Sequence, residues 1–301
     1  MISYSQSPVK KLSKGDIEIA SFVHNDGNLD PETVKSFGEE WQKFGTFAEQ
    51  DLSTAGSQYF DIVDDQVMNK STIALDVGCG TGRWSKYIAK HVHFIEAIDP
   101  SNAVYAAANF LGDTKNARVT QASVDNIPFP DSSFDFVFSL GVLHHLPDTA
   151  HAMKKCVSKV KPGGIFLVYL YYNLDNRGPL FKVLFKLSNL VRKVVSLLPQ
   201  NLKFLICDLL AVVFYMPFVT LARVIQHTPF LKQKVHLIPL SYYRDKSFRI
   251  IRNDALDRFG TPLEKRFSRK EVKNLMEEAG LTNIKFSEKE PYWHATGVKK
   301  A

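Results

Sequence analysis

The stretch LDVGCGTGRWS sets Asp76, Gly78, Gly80 and Gly82 at alternate positions, in the pattern D-x-G-x-G-x-G. Glycines at that density let the backbone approach a ligand closely, and the helix that follows aims its N-terminal N–H groups at it. An acid two residues before the first glycine suits a cationic ligand better than a pyrophosphate. The dinucleotide fingerprint G-x-G-x-x-G also needs a small residue at position 83, where Arg83 stands. Two further acids follow. Asp99, in AIDPS, lies 21 residues after Gly78, where a carboxylate can accept both hydroxyls of a ribose. Asp125, in ASVDNIPFPDSS, can accept from an adenine amino group while apolar neighbours pack the ring. A tight turn without a ligand would explain the glycines alone. Three acids at the tips of three consecutive strands are harder to explain that way.

The elements that must position these residues alternate in type. Short apolar runs read as strands at 73–78, 94–99, 118–122, 134–141 and 164–171, with helices at 82–90, 101–111 and 148–160. Such alternation predicts βαβ units and a parallel sheet. Ser268 and Glu271 form a capping box, and Gly280 ends that helix. Strands at 283–288 and 292–299 then pair as a hairpin around Glu290 and Pro291. Residues 1–72 read as a helical cover, with one helix opening at Asp30–Pro31 and a second over Gln58–Met68. The expected organisation is that cover, an α/β domain over 73–177 and 241–301, and a helical insertion over 178–240.

Together, LDVGCGTGRWS, AIDPS, NIPFPDSSFDFVFSLGVLHHLPD and KPGG resemble the class I S-adenosylmethionine-dependent methyltransferases. The likeness is to the methyltransferase type 11 family, related to ubiquinone and menaquinone methyltransferases. It covers 73–171 well, and 268–299 resembles the end of the same fold. It implies a Rossmann-like sheet of seven strands, mostly parallel with an antiparallel last strand, and S-adenosylmethionine as cofactor. Carried onto matching positions, it implies that Asp76 and the loop Gly78–Gly80 hold the methionine part. Asp99 would bind the ribose, Val124 and Asp125 the adenine, and Leu140 would lie near the sulfonium.

The resemblance implies methyl transfer to a small-molecule acceptor through oxygen or nitrogen, hydrophobic or lipid-linked acceptors included. Histidine is the usual base near neutral pH, and His144, ahead of its neighbour His145, is the candidate. Related quinone O-methyltransferases carry E-x-x-E-H here and use a metal in some accounts. This chain has Gly141-x-x-His144-His145, so no metal is expected. Trp41, Phe44 and Phe47 lie at roughly helical spacing, which reads first as simple packing; the resemblance implies that such a helix closes over the cofactor. Tyr171 and Tyr172 leave the fifth core strand, and Tyr242, Tyr243 and Arg244 return from the insertion, so these residues are candidates for acceptor contact. A nucleic-acid or protein methyltransferase would carry a tetrad such as N-P-P-Y where SLGVLHH stands. A non-catalytic cofactor-binding module is disfavoured by the intact loop and acids.

The net charge of +7 is concentrated in one place. Residues 178–240 hold eight lysines and arginines and one acid, Asp208, while the remainder sums to zero. A nucleic-acid partner would call for a basic face on the main domain, so none is expected. Three widely spaced cysteines suggest no disulfide framework, and no signal peptide is evident in MISYSQSPVKKLSKGDIEIA. The expectation is a cytoplasmic protein with membrane-peripheral contact through 178–240 as one reading of the insertion and a lid as the other. Lys182, Lys186, Asn189 and Lys193 form a polar stripe opposite Leu180, Leu184, Leu187, Val191, Val194 and Leu198. The uncharged run Leu209–Ala222 has 14 residues and contains Pro217. A span needs about 20, so the sequence argues against one.

Overall fold

In the computed structural model, residues 1–14, 17–23, 27–43, 49–175 and 178–300 are described. Phe44 and Phe47 lie outside the described residues. The chain divides into two compact units, Met1–Asp175 with Leu263–Ala301, and Asn176–Pro262.

The first unit is built on one sheet. Its strands are β1 (Lys10–Lys14), β2 (Ile17–Ser21), β3 (Ile73–Val77), β4 (Phe94–Asp99), β5 (Ala117–Gln121), β6 (Phe134–Leu140), β7 (Val160–Tyr169), β8 (Leu281–Phe286) and β9 (His294–Lys299). Their order is β1-β2-β5-β4-β3-β6-β7-β9-β8. β3 runs parallel to β4 and β6, and β9 runs antiparallel to both β7 and β8. All seven expected strands are present. Leu75, Val137 and Phe166 pack on one face and Ala74, Phe136 and Leu167 on the other. A strand buried on both faces reads as a continuous apolar run rather than an alternation, which is why FDFVFSL was legible. The chain leaves β3 towards β4 and β5, then crosses back to β6. Ligands of open α/β sheets bind at the carboxyl ends of strands flanking such a reversal.

The N-terminal region corrects the expected helical cover over 1–72. Helix α1 (Pro31–Lys43) is where it was expected. Ahead of it, however, β1 and β2 pair antiparallel, and β2 joins the edge of β5 at Ser21↔Gln121. The apolar side of this hairpin is only Ile19 and the following Phe22, both buried, too little to mark it in isolation. Helix α2 spans Glu49–Tyr59, not Gln58–Met68. In the later stretch Asp64 accepts from the Gln66 N–H and Asn69 from the Ser71 N–H, each at 2.8 Å. Such local bonds compete with a helix for the same backbone groups.

Helices α3 (Arg83–Ala89), α4 (Ala103–Phe110), α5 (Thr149–Lys159) and α10 (Arg269–Glu278) complete this unit. The Ser268–Glu271 capping box is present. One ion pair anchors the N-terminal segment. Arg118 donates to both carboxylate oxygens of fully buried Glu96, at 2.8 Å each, and to the Ile2 carbonyl at 2.5 Å. The Ile2 N–H donates to Glu96 at 3.2 Å.

The second unit contains α6 (Pro179–Val195), α7 (Gln200–Leu210), α8 (Met216–Gln226) and α9 (Phe248–Gly260). It extends to Pro262, past the expected boundary at 240, because α9 packs against α6 and α7. A π turn at Ala211–Tyr215 joins α7 to α8. Gln200–Gln226 is thus one helix of 27 residues, long and apolar enough to cross a membrane by length and composition. Pro217 therefore does not interrupt this helix. The widened turn accommodates a proline ring that would clash with the carbonyl four residues back in a regular α-helix.

Arg118→Ala would leave Glu96 buried without its cation, and the unfolding free energy should drop by about 3–5 kcal/mol in urea titrations. A loss below about 1 kcal/mol would show that the pair does not anchor the segment.

Candidate active site

The site forms where β3, β4 and β6 end. Gly78, Gly80 and Gly82 all adopt left-handed conformations, with φ of 81°, 54° and 77°. Space reinforces the need at two of them. A Cβ on Gly78 would stand 2.5 Å from a Val142 methyl carbon, and one on Gly80 would stand 3.1 Å from the indole nitrogen of Trp41. Trp41 therefore lies against the glycine loop, as the sequence suggested.

Two buried carboxylates shape this loop. Asp99 accepts the Gly80 N–H at 3.0 Å through one oxygen. Its other oxygen accepts the Ser101 N–H at 2.9 Å and the Ser101 hydroxyl at 2.6 Å. Asp76 accepts the Ser85 hydroxyl at 2.6 Å. Burial raises the pKa of Asp99, against the pull of these hydrogen bonds. Burial pushes Asp76 up to about 7; the Ser85 bond opposes the rise and the Asp99 charge adds to it. Each carboxylate offers about four acceptor positions, so both retain capacity for a ligand. A cationic ammonium or paired hydroxyls are the chemistry such a set of acceptors fits.

Asp125 follows β5 and is held by the Asn28 N–H at 3.2 Å and by His151 at 3.1 Å. Val124 before it is buried in the core, as is Leu140 at the end of β6. The structure therefore brings Asp76, Gly78, Gly80 and Asp99 into one hydrogen-bonded loop system. It places Val124, Asp125 and Leu140 at the ends of the neighbouring strands.

Beyond β6, a 3₁₀ turn at Leu143–His145 buries both histidines. The His144 ring lies 3.9 Å from the Tyr171 ring and 4.0 Å from that of His145. Among the described residues neither His144 ring nitrogen has a hydrogen-bond partner. Burial drives its pKa well below the usual histidine value, and the neighbouring His145 and Arg266 add to the shift. His144 is thus a neutral imidazole at pH 7. His145 Nδ1 donates to the Leu263 carbonyl at 2.7 Å, which orients that ring. Tyr171 and Tyr172 diverge, as consecutive residues of an extended chain must. Tyr171 faces the histidines, whereas Tyr172 packs near Tyr292 and Trp293.

Sequence reasoning missed the segment that closes this cluster. The Lys265 N–H donates to the His144 carbonyl at 3.0 Å, and the Phe267 N–H donates to Tyr171 at 2.8 Å. Between them Arg266 pairs with Glu264 at 2.9 Å and lies over the Tyr171 ring at 5.1 Å. No periodicity marks these residues; only two opposite charges in a short loop hinted at them. Ser101 was legible in retrospect, since a hydroxyl two residues after an aspartate suits a local turn bond. Tyr242, Tyr243 and Arg244 belong to the second unit. There Tyr243 bonds to Asp254, and Arg244 bonds to the Ser241 carbonyl at 3.0 Å.

Asp76 has a direct consequence for stability. The folded chain keeps its proton up to about pH 7, whereas an unfolded aspartate loses it near pH ~4. The folded state binds more protons across that window, so its stability falls as pH rises from about 4 to about 7, by about 4 kcal/mol from this group. Thermal unfolding of the ligand-free protein should show that slope, and Asp76→Asn should flatten it. An equal slope in the variant would contradict the assignment.

Residues 75–168 match a family model described as a methyltransferase domain. Phosphoethanolamine N-methyltransferase 2 of Caenorhabditis elegans is 35% identical over 103 residues, covering 32% of this chain and 23% of its own length. A ubiquinone biosynthesis O-methyltransferase of Coxiella burnetii is 27% identical over 174 residues, covering 54% of this chain and 72% of its own. The chain thus spans less than a quarter of the first relative. A solved SAM-dependent methyltransferase from Aquifex aeolicus is 14% identical, with 84% of this chain and 98% of that one aligned at a TM-score of 0.43. The glycine loop and its two buried acids lie within the matched stretch, so residues 75–168 form a methyltransferase domain similar to the class I S-adenosylmethionine-dependent enzymes of the methyltransferase type 11 family.

Proposed function

We propose that this enzyme methylates an acidic hydroxyl, phenolic or enolic, on a hydrophobic small molecule, with His144 as the general base. The observation that carries the reading is the state of His144: buried, neutral and without a partner at either ring nitrogen among the described residues. A buried polar atom without a partner calls for one from elsewhere, and an acceptor hydroxyl supplies it. Within this reading Asp76 and the Gly78–Gly80 loop hold the methionine part of S-adenosylmethionine, Asp99 the ribose, and Val124, Asp125 and Leu140 the adenine side and the sulfonium.

When bound, the cofactor supplies an electrophilic methyl group on positively charged sulfur. The acceptor oxygen forms its bond to that carbon as the carbon–sulfur bond breaks, and the hydroxyl proton passes to a His144 nitrogen. Arg266 and His145 disfavour a further positive charge here, so His144 is a weak base. A weak base is matched to an acidic hydroxyl rather than to an alkyl alcohol. Tyr171, with Tyr169 tilted against it and Tyr59 edge-on beyond, favours a flat, apolar acceptor. The Coxiella relative's name, an O-methyltransferase of ubiquinone biosynthesis, supports the same class. The nematode relative is named for nitrogen methylation, which would need no base once the amine is neutral.

The two are separated by His144→Phe, assayed with isotopically labelled S-adenosylmethionine on catechols and on alkylamines. The expected result is phenol methylation that falls about 10²–10⁴-fold in kcat with cofactor affinity unchanged. Because the histidine stays neutral below its usual range, kcat/KM should hold level as pH falls through about 6.5. Amine methylation that is indifferent to His144→Phe would overturn the proposal.

A further inference from the structure

Among the described residues, twenty large apolar side chains are exposed, and eighteen of them lie between Val183 and Phe248 in the second unit. Soluble surfaces rarely gather so many in one place. The helices of the unit lack the polar outer face of a helical bundle in water. On Gln200–Gln226 the inward stripe holds Lys203, Cys207, Ala211 and Tyr215, all buried. Its three charged residues are engaged inside the unit or buried. Lys203 is buried, Asp208 pairs with Arg252 at 2.5 Å, and Arg223 donates to the Arg244 carbonyl at 2.7 Å. Tyr215 donates to Asp254 at 2.8 Å in the same seam. The outward stripe holds Leu205, Leu209, Val212 and Val213, each more than half exposed, with no charged residue among them. Only 22% of the most apolar window of this helix is buried.

Helix α6 repeats the pattern. Arg192 points inward and donates to the carbonyls of Thr261 and Pro262 at 3.0 and 2.7 Å. Leu187, Leu190 and Val194, at helical spacing, are exposed. Part of the apolar stripe read from the sequence therefore faces solvent rather than a core. Lys182, Lys186 and Lys193 are exposed along its flank. Charge adds a second, independent observation. Asn176–Pro262 holds fourteen lysines and arginines against four acids, a net +10, while the rest of the chain sums to −3.

We infer that the second unit docks on an anionic lipid bilayer surface, with the outward faces of α6 and of Gln200–Gln226 immersed at the headgroup–acyl boundary and the lysines at the phosphates. A second copy of this chain fits less well, because pairing two units of +10 opposes like charges. A transbilayer span also fits less well. Gln200–Gln226 holds Lys203, Asp208 and Arg223 on its inward side, where Asp208 pairs with Arg252 and Arg223 with the Arg244 carbonyl; a span would carry these charges and their partners into hydrocarbon, whereas a helix lying in the plane keeps them on the water side. α9 packs against α6 and α7 and holds them through Arg252 to Asp208, Asp254 to Tyr215 and Arg258 to Ser188. The inference does not depend on which acceptor is methylated.

Flotation of the full chain tests it, with vesicles of phosphatidylcholine alone and of phosphatidylcholine mixed with phosphatidylglycerol. The protein should float with the anionic vesicles at low salt and be released by high salt or alkaline carbonate. Replacing Lys182, Lys186 and Lys193 by alanine together should lower partitioning on the order of a hundredfold. Leu205→Glu with Val212→Glu, both on the exposed face, should abolish it while circular dichroism and cofactor affinity stay unchanged. Two results would overturn the inference. One is failure to float with any vesicle, with a dimer in sedimentation that the double Glu variant dissociates. The other is retention that resists carbonate and yields only to detergent, the behaviour of a spanning helix.

Discussion

The hydrogen bond from the Gly80 N–H to Asp99 ties the turn after β3 to the tip of β4, and the site is built around it. A left-handed backbone at Gly78, Gly80 and Gly82 turns the Gly78 and Cys79 N–H groups onto the Ile98 carbonyl and leaves the Gly80 N–H to Asp99. The same bond brings Asp99 close enough to Asp76 for its charge to raise the Asp76 pKa. Holding two carboxylates together in a buried place is costly unless a cation or hydrogen-bond donors share it. Ser85 and Ser101 supply part of that. The remainder is the affinity available for a cationic ligand.

The chemistry at the other side of the loop follows from a different kind of burial. His144 loses its charge because it is desolvated and because Arg266 and His145 stand near it. Its position depends on backbone rather than on side-chain bonds. The Lys265 N–H holds its carbonyl, and Tyr171 stacks on its ring. Among the described residues neither ring nitrogen has a hydrogen-bond partner. The acids that accompany this position in related quinone enzymes are replaced by Gly141 and His144, so proton removal in the proposed reaction falls to imidazole alone.

The legible part of the sequence was the part with strong local signals. β3, β4 and β6 were readable because their residues are buried on both faces and bounded by turns. The glycine loop was readable because its left-handed positions admit little else. The β1–β2 hairpin was not, because its apolar content is small and its pairing partner, Gln121, lies 100 residues away in the chain. Arg266 and Glu264 were missed because a loop that crosses back over β7 has no period. For α6 the sequence left open whether its apolar stripe meets a core or a bilayer; Arg192 is buried, whereas Leu187 and Val194 of that stripe are exposed. Pro217 was counted against a membrane span, and within the helix a π turn removes its steric cost.

The central claim is that the Asp99 clasp makes the cofactor site. Calorimetric titration of S-adenosylmethionine into the wild-type protein and into Asp99→Ala tests it most directly. Losing a carboxylate that both shapes the loop and accepts ligand hydroxyls should weaken binding by at least about a hundredfold, with far-ultraviolet circular dichroism unchanged. An affinity within about threefold of wild type would contradict the account.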